Sequence, residues 1–213
     1  MDATNTPPTS GLVLIVEDDD RLRAAISDAL EVRDIAHMSA TNADEALALL
    51  KNITADPVCM LLDIRLGTGP SGLTVFDALT ELQMTDRVPV IFMTGHGDID
   101  TAVDVMRTGA FDFVSKPFST PRLIDKINDA LSLSKNISEA NAEKQRVMEL
   151  LESLTRKEEE VMRLMIEGKT NREIADLCGN STRTVELHRA RVFDKLNVSN
   201  AVELVRTLGI IKT

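Results

Sequence analysis

LVLIVEDDD, residues 12–20, runs five apolar residues straight into four carboxylates. An unbroken apolar run of this length reads as a strand buried on both faces, the pattern of a parallel sheet. Adjacent carboxylates repel, so four at a strand's end call either for a cation or for a solvated turn. The same phrase recurs downstream. VCMLLD (58–63) is an apolar run closed by Asp63, and VPVIFMT (88–94) is one closed by Thr94. FDFVS (111–115) is shorter and leads into Lys116 and Pro117, while AHMSA (36–40) is a weak strand.

Amphipathic stretches fill the gaps. Residues 20–32 carry Leu22, Ile26, Ala29 and Leu30 at helical spacing. Asn42 or Thr41 is placed to cap a helix over 43–51, and further helices are expected over 72–84 and over 98–108, the latter stopped by Gly109. A last one starts near Ser119 with Pro121 in its first turn. Five strands alternating with five helices predict an α/β fold: a parallel, doubly wound sheet with helices on both faces and right-handed crossovers.

The bulk numbers set the limits. The 213 residues suit one or two domains. Aromatics make up 3%, with no Trp or Tyr, so aliphatic side chains must fill the core. No apolar run reaches the roughly 18 residues of a membrane span, and the polar, Pro-rich residues 1–10 lack the basic start and apolar stretch of a signal peptide. A disordered tail at 1–10 and a cytoplasmic protein with no membrane partner are expected. Cys59 and Cys178 both read as buried thiols.

The net charge of -10 is uneven. Residues 1–133 hold 10 Lys/Arg against 21 Asp/Glu, residues 134–152 hold 3 against 4, and residues 153–213 hold 11 against 9. An acidic front would repel DNA, and the mildly basic end need not. Residues 134–152, polar and free of Gly and Pro, read as a helical linker.

In an open parallel sheet, ligands sit outside the carboxyl ends of the strands. Glu17 and Asp18 follow the first strand, Asp63 closes the third, Thr94 the fourth, and Lys116 follows the fifth. Any one of these alone reads as a surface residue. Together they place three acids, a hydroxyl and an ammonium on one edge. Such a set suits a hard divalent cation, Mg²⁺, which takes oxygen ligands and bridges carboxylates to phosphoryl groups. A carboxylate can itself accept the phosphoryl group. Its three oxygens then need neutralising, by the cation, by Lys116 and by Thr94. Asp19 and Asp20 read as solvated turn residues, with Asp20 placed to cap the next helix.

Residues 11–133 strongly resemble the receiver domain of two-component response regulators, a flavodoxin-like fold. The resemblance rests on Glu17-Asp18, Arg23 five beyond Asp18, Asp63, Thr94, Phe113 and the KPF at 116–118. It implies that Asp63 accepts phosphate from a sensor histidine kinase. It implies that Mg²⁺ is held by Glu17, Asp18, Asp63 and the Arg65 backbone carbonyl. Thr94 and Lys116 then read the phosphoryl group, and Thr94 and Phe113 form the switch. The family more often has Asp at the position of Glu17, whose longer arm makes Asp18 the firmer ligand. The loop IRLGTGPSG (64–72) departs further: Gly72 lies nine residues from Asp63, one more than usual. His96, two beyond Thr94, either tunes the site or is an exposed loop residue.

From 153 onward the chain reads as four helices. Thr155 and Glu158 form a capping box, Gly168 and Gly179 are stops, and a short turn separates the second helix from the third, as a helix-turn-helix requires. LTxxExxV, GxTNREIA and STRTVExHRxxVxxKL resemble the LuxR/NarL/FixJ-type DNA-binding domain over 153–213. At about 100° per residue, Val185, Val192, Phe193 and Leu196 form an inward stripe. Glu186, Leu187, Ala190, Arg191 and Asp194 face outward. Of these, Glu186, Leu187, Ala190 and Arg191 are candidates for base edges in a major groove. Thr170, Asn171, Arg172, Thr182, Arg183, Thr184 and Lys195 flank the helix ends and suit phosphates. Arg189 either pairs internally or reaches a phosphate, and His188 is a partly buried positioning residue.

The expected protein is a DNA-binding transcriptional regulator of the FixJ/NarL class, switched by phosphorylation of Asp63. The resemblance implies a homodimer formed through the 98–133 face on promoter DNA, with RNA polymerase as a candidate partner. Two rivals stand beside it. A phosphorylation-independent regulator with a vestigial receiver is disfavoured by the complete acid set. An aspartate-nucleophile phosphatase usually needs Asp two residues after the nucleophile, where this chain has Arg65. No turnover enzyme is expected beyond self-phosphorylation and autodephosphorylation.

Overall fold

The computed structural model describes residues 11–54, 56–95 and 99–212. The tail at 1–10 and His96 lie outside the described residues. The chain divides into two compact units, with the boundary between Ser138 and Glu139.

The first unit alternates strand and helix: β1 (Leu12–Val16), α1 (Asp20–Glu31), β2 (Ala36–Ala40), α2 (Ala43–Leu50), β3 (Val58–Asp63), α3 (Gly72–Glu81), β4 (Val90–Thr94), α4 (Ile99–Arg107) and β5 (Asp112–Ser115). The strands form one parallel sheet in the order β2-β1-β3-β4-β5. Alternate side chains point to opposite faces. Leu14, Val16, Met60, Leu62, Val90 and Phe92 pack on one side against Ala46, Val75, Phe76 and Leu79 of α2 and α3. Val13, Ile15, Leu61, Ile91 and Met93 pack on the other against Ile26 and Leu30 of α1 and against Leu123, Ile127 and Leu131. Both layers are aliphatic apart from a few phenylalanines, and Phe76 meets Phe92 edge to face at 5.3 Å. The register pairs Val16 with Leu62, Asp63 with Met93 and Thr94 with Ser115. Residues just past β1 and at the ends of β3 and β4 therefore share one level of the sheet edge.

Several expected boundaries shift for local reasons. Helix α1 is capped by Asp19, whose carboxylate accepts from Arg21 N and Leu22 N. Asp20, expected as the cap, is instead in the first turn and pairs with Arg23. Asn42 caps α2. Helix α3 stops at Glu81 because Gln83 takes a left-handed φ of 54°. Strand β4 begins at Val90, after Pro89, which has no N–H to give a ladder. Cys59 is wholly buried and its thiol pKa is pushed up by burial, whereas Cys178, expected to be buried, is half-buried; both are free.

Helix α5 (Thr120–Glu152) is a single helix of 33 residues that includes the expected linker. The second unit adds α6 (Arg156–Ile166), α7 (Asn171–Cys178), α8 (Thr182–Lys195) and α9 (Ala201–Lys212). Thr155 and Glu158 form the expected capping box, and Thr170 with Glu173 forms a second that the sequence reading did not single out. Gly179 ends α7 at a φ of 65°, and Ser181 caps α8 two residues later. Val161, Met165, Ile174, Val185, Val192, Leu196 and Leu204 form the core, with Leu150, Leu151 and Leu154 packed against it. Among the described residues no helix is long and apolar enough to cross a membrane.

Candidate functional site

Carboxylate oxygens of Glu17, Asp18 and Asp63 lie within 4.8 Å of one another at the carboxyl edge of the sheet, an acidic cluster able to hold a metal ion. The Lys116 ammonium donates to both Glu17 Oε2, at 2.6 Å, and Asp63 Oδ2, at 2.7 Å. Glu17 and Asp63 are buried and Asp18 is exposed, so the cluster has a dry floor and a wet rim. Burial pushes the Glu17 carboxyl above its ordinary range, although the Lys116 hydrogen bond opposes the shift. Burial also pulls the Lys116 ammonium down, but its bonds to Asp63 and Glu17 outweigh that and leave it raised. Arg23 fastens the rim, donating to the Glu17 carbonyl at 2.8 Å. Three carboxylates and one ammonium give this set of four groups a formal charge of -2. An all-oxygen donor set with surplus negative charge is the chemistry a hard divalent cation takes.

Thr94 is fully buried, and among the described residues its hydroxyl makes two long contacts, 3.5 Å to Val114 O and 3.5 Å to Ser115 Oγ. Contacts at that limit are weak. Phe113 is half-buried and packs on the core layer that holds Phe92. It also lines a cavity of about 390 Å³ with Phe118, Arg122 and Lys126. Lys126 pairs with Asp112 there. Arg65 is exposed, and its backbone N–H faces Asp63 Oδ1 at 3.3 Å.

The loop after Asp63 is pinned at both ends. Leu66 is buried, and Gly72 N donates to the Ile64 carbonyl at 3.0 Å. A Cβ on Gly72 would stand 2.0 Å from the Asp63 carbonyl oxygen, so only glycine fits. Gly67 takes a φ of 57°, with Asp18 Oδ2 3.4 Å from the place of its missing Cβ. The loop over 64–72 thus lies against the acidic rim.

In the second unit, Val185, Val192 and Leu196 are buried, while Glu186, Leu187, Ala190, Arg191 and Asp194 of α8 are exposed. Thr182, Arg183 and Arg172 are exposed, and Asn171 is half-buried. The hydroxyl of Thr170 is engaged with Glu173, and that of Thr184 with Ser181. Arg189 lies over the Phe193 ring, 5.8 Å from its centroid, so it packs on its own helix. His188 is half-buried, and its Nδ1 is buried without a hydrogen-bond partner among the described residues. Lys195 does not fit the phosphate role expected of it. Its ammonium donates to Glu158 Oε2 at 2.7 Å and to the Ser153 carbonyl at 2.9 Å. Leaving Glu158, which is 3% exposed, would strand a buried carboxylate. The spacing of 37 residues hid this pair from any local pattern.

A parallel sheet with an acid-lysine cluster at its carboxyl edge, joined to a helix-turn-helix unit, defines the class of two-component DNA-binding regulators. Residues 13–128 match the response regulator receiver domain family, and residues 152–208 match the bacterial regulatory proteins of the luxR family. The chain belongs to the response regulators, with a receiver followed by a LuxR-type DNA-binding domain. It is 39% identical to the C4-dicarboxylate transport transcriptional regulatory protein DctR of Rhodobacter capsulatus over 195 residues, covering 91% of this chain and 97% of that one. It is 34% identical to the transcriptional regulatory protein FixJ of Azorhizobium caulinodans over 200 residues, 93% of this chain and 92% of that one. Among solved structures, the response regulator StyR superposes with a TM-score of 0.82 at 30% identity, covering 94% of this chain and 99% of that one.

Proposed function

We propose that Asp63 accepts a phosphoryl group from a partner sensor histidine kinase and that this switches binding of promoter DNA. The observation that carries the reading is the Lys116 ammonium shared between Glu17 and Asp63, 2.6 and 2.7 Å away. A cation already bridges the two buried acids, and the surplus negative charge remains. Glu17, Asp18, Asp63 and the Arg65 carbonyl would hold Mg²⁺, with Asp18, on the open rim, as the direct ligand. The ion supplies charge neutralisation for the transferred phosphoryl oxygens.

The residues divide the rest of the work. A carboxylate oxygen of Asp63 attacks the phosphorus of the kinase phosphohistidine. A P–O bond forms, the P–N bond breaks, and the electron pair returns to the imidazole, which takes up a proton from water. Lys116 then exchanges its bond to the Asp63 carboxylate for one to a phosphoryl oxygen. The poorly bonded Thr94 hydroxyl donates to another. The phosphoryl group carries about -1.5 to -2 charges by analogy with other phosphoresidues, in place of the single negative charge of the Asp63 carboxylate. Thr94 moves toward the new group, and Phe113, lining a cavity, turns inward. The 98–133 face then pairs with a second copy. On DNA, the exposed side of α8 meets base edges through Glu186, Leu187, Ala190 and Arg191. Thr170, Asn171, Arg172, Thr182, Arg183 and Thr184 lie toward phosphates, and His188 positions the helix. Such a protein works in the cytoplasm, where its kinase's transmitter and its DNA are found.

The test uses the full chain with acetyl phosphate and Mg²⁺ as phosphodonor, followed by intact mass. One phosphoryl group is gained by the wild type and none without Mg²⁺. With beryllofluoride and Mg²⁺ in place of phosphate, DNA binding and the dimer fraction both rise. No change in either would favour a vestigial receiver.

A further inference from the structure

Along α5, the residues facing the sheet change character. Leu123, Ile127 and Leu131 are apolar and fully or almost fully buried. Ser134 follows on the same face, three residues beyond Leu131, and is also 0% exposed. Ser138 comes four later and bonds to the Asp56 carboxylate. Serine is a mediocre helix former, and a buried one needs its hydroxyl satisfied. Ser134 satisfies it away from its own helix. Its Oγ accepts from the Val58 N–H at 3.0 Å and donates to the Arg87 carbonyl at 2.8 Å.

Those two partners lie at the feet of particular strands. Val58 is the first residue of β3, which ends in Asp63, and Arg87 stands just before β4, which ends in Thr94. One hydroxyl therefore grips the far ends of the two strands that carry the phosphoacceptor and the buried threonine. The floor around it is closely packed: a Cβ on Gly11 would meet Leu131 Cδ2 at 2.8 Å and the Pro57 carbonyl at 3.1 Å. The receiver family match ends at residue 128, so both serines lie beyond it.

We propose that Ser134, seconded by Ser138, is the positioning residue that fastens the linker helix to β3 and β4, so that a change at Asp63 and Thr94 is felt in residues 139–152. The coupling rests on the phosphorylation reading above. The fastening does not.

Amide hydrogen exchange on the full chain separates the two, run with and without beryllofluoride plus Mg²⁺. The Val58 amide of the wild type is expected to be as protected as that of Met60 in the same strand. An exposed-like rate at Val58 overturns the fastening. In Ser134→Ala, amides of 134–145 exchange at least about tenfold faster. The beryllofluoride response of 139–152 disappears while that around Asp63 persists. A linker response equal to wild type overturns the coupling. Should Ser134→Ala fail to fold, Ser138→Ala decides, by a linker response that is reduced or, against the proposal, unchanged. Absence of any response around Asp63 in the wild type defeats the phosphorylation reading instead, and the Val58 amide still judges the clamp.

Discussion

Two lysine-carboxylate clusters, one in each unit, show what separates a site from a strut. Lys195 serves one carboxylate, Glu158, which also accepts from Thr155 N at 2.9 Å. The Lys195 ammonium beside it, together with that backbone bond, holds the Glu158 carboxyl down at about 2. Every charge there has its partner. Lys116 serves two carboxylates with a third oxygen set nearby, and burial holds Glu17 up rather than down. A matched cluster stabilises the fold, whereas an acid-rich one stores a demand for further positive charge.

Substitutions break the two in opposite ways. The largest effect is expected for Asp63→Asn, which removes the acceptor oxygen and should abolish phosphoryl uptake from acetyl phosphate by intact mass. A stable gain at residue 63 in that variant would sink the mechanism.

Next is Glu158→Gln, which leaves Lys195 uncompensated and weakens the cap of α6. It should cost roughly 2 kcal/mol of stability in residues 139–213, read by denaturant unfolding. The sign with pH follows from a pKa that falls from 4.5 to about 2 on folding. The stabilisation is fully present above about 4.5 and is lost as pH falls through about 2. The variant should therefore flatten the acid limb in that window, and an unaltered limb would remove Glu158 from the account.

Arg191→Ala should weaken binding to a promoter fragment by about 1–3 kcal/mol with relaxed sequence preference, if Arg191 reads a base. A uniform loss on all sequences, with a shallower salt dependence, would assign it to phosphate instead.

The smallest stability change belongs to Glu17→Gln. A buried charge is removed, so thermal stability should stay within about 1 kcal/mol of wild type or rise. The stabilisation by Mg²⁺ should shrink at the same time. A large destabilisation would make Glu17 a strut like Glu158.

Much of this was legible in the chain. Apolar runs ending in Glu17, Asp63 and Thr94 marked strands and edge together, because a two-sided buried strand must be apolar until it leaves the sheet. The inward stripe of α8 followed from helical periodicity alone. What stayed hidden was tertiary. Asp19 rather than Asp20 caps α1, a choice of one residue that local composition leaves open. The tasks of Lys195 and Ser134 depend on partners 37 and 76 residues away, and neither residue type signals such a bond.

The loop after Asp63 carries a further consequence. It runs from a buried Leu66 to a Gly72 that tolerates no side chain, while Thr68, Gly69 and Pro70 are exposed. Insertions and swaps can therefore accumulate on this span while both ends stay in register. The rim above the acids can be raised or lowered like a sash, independently of the frame that holds Asp63.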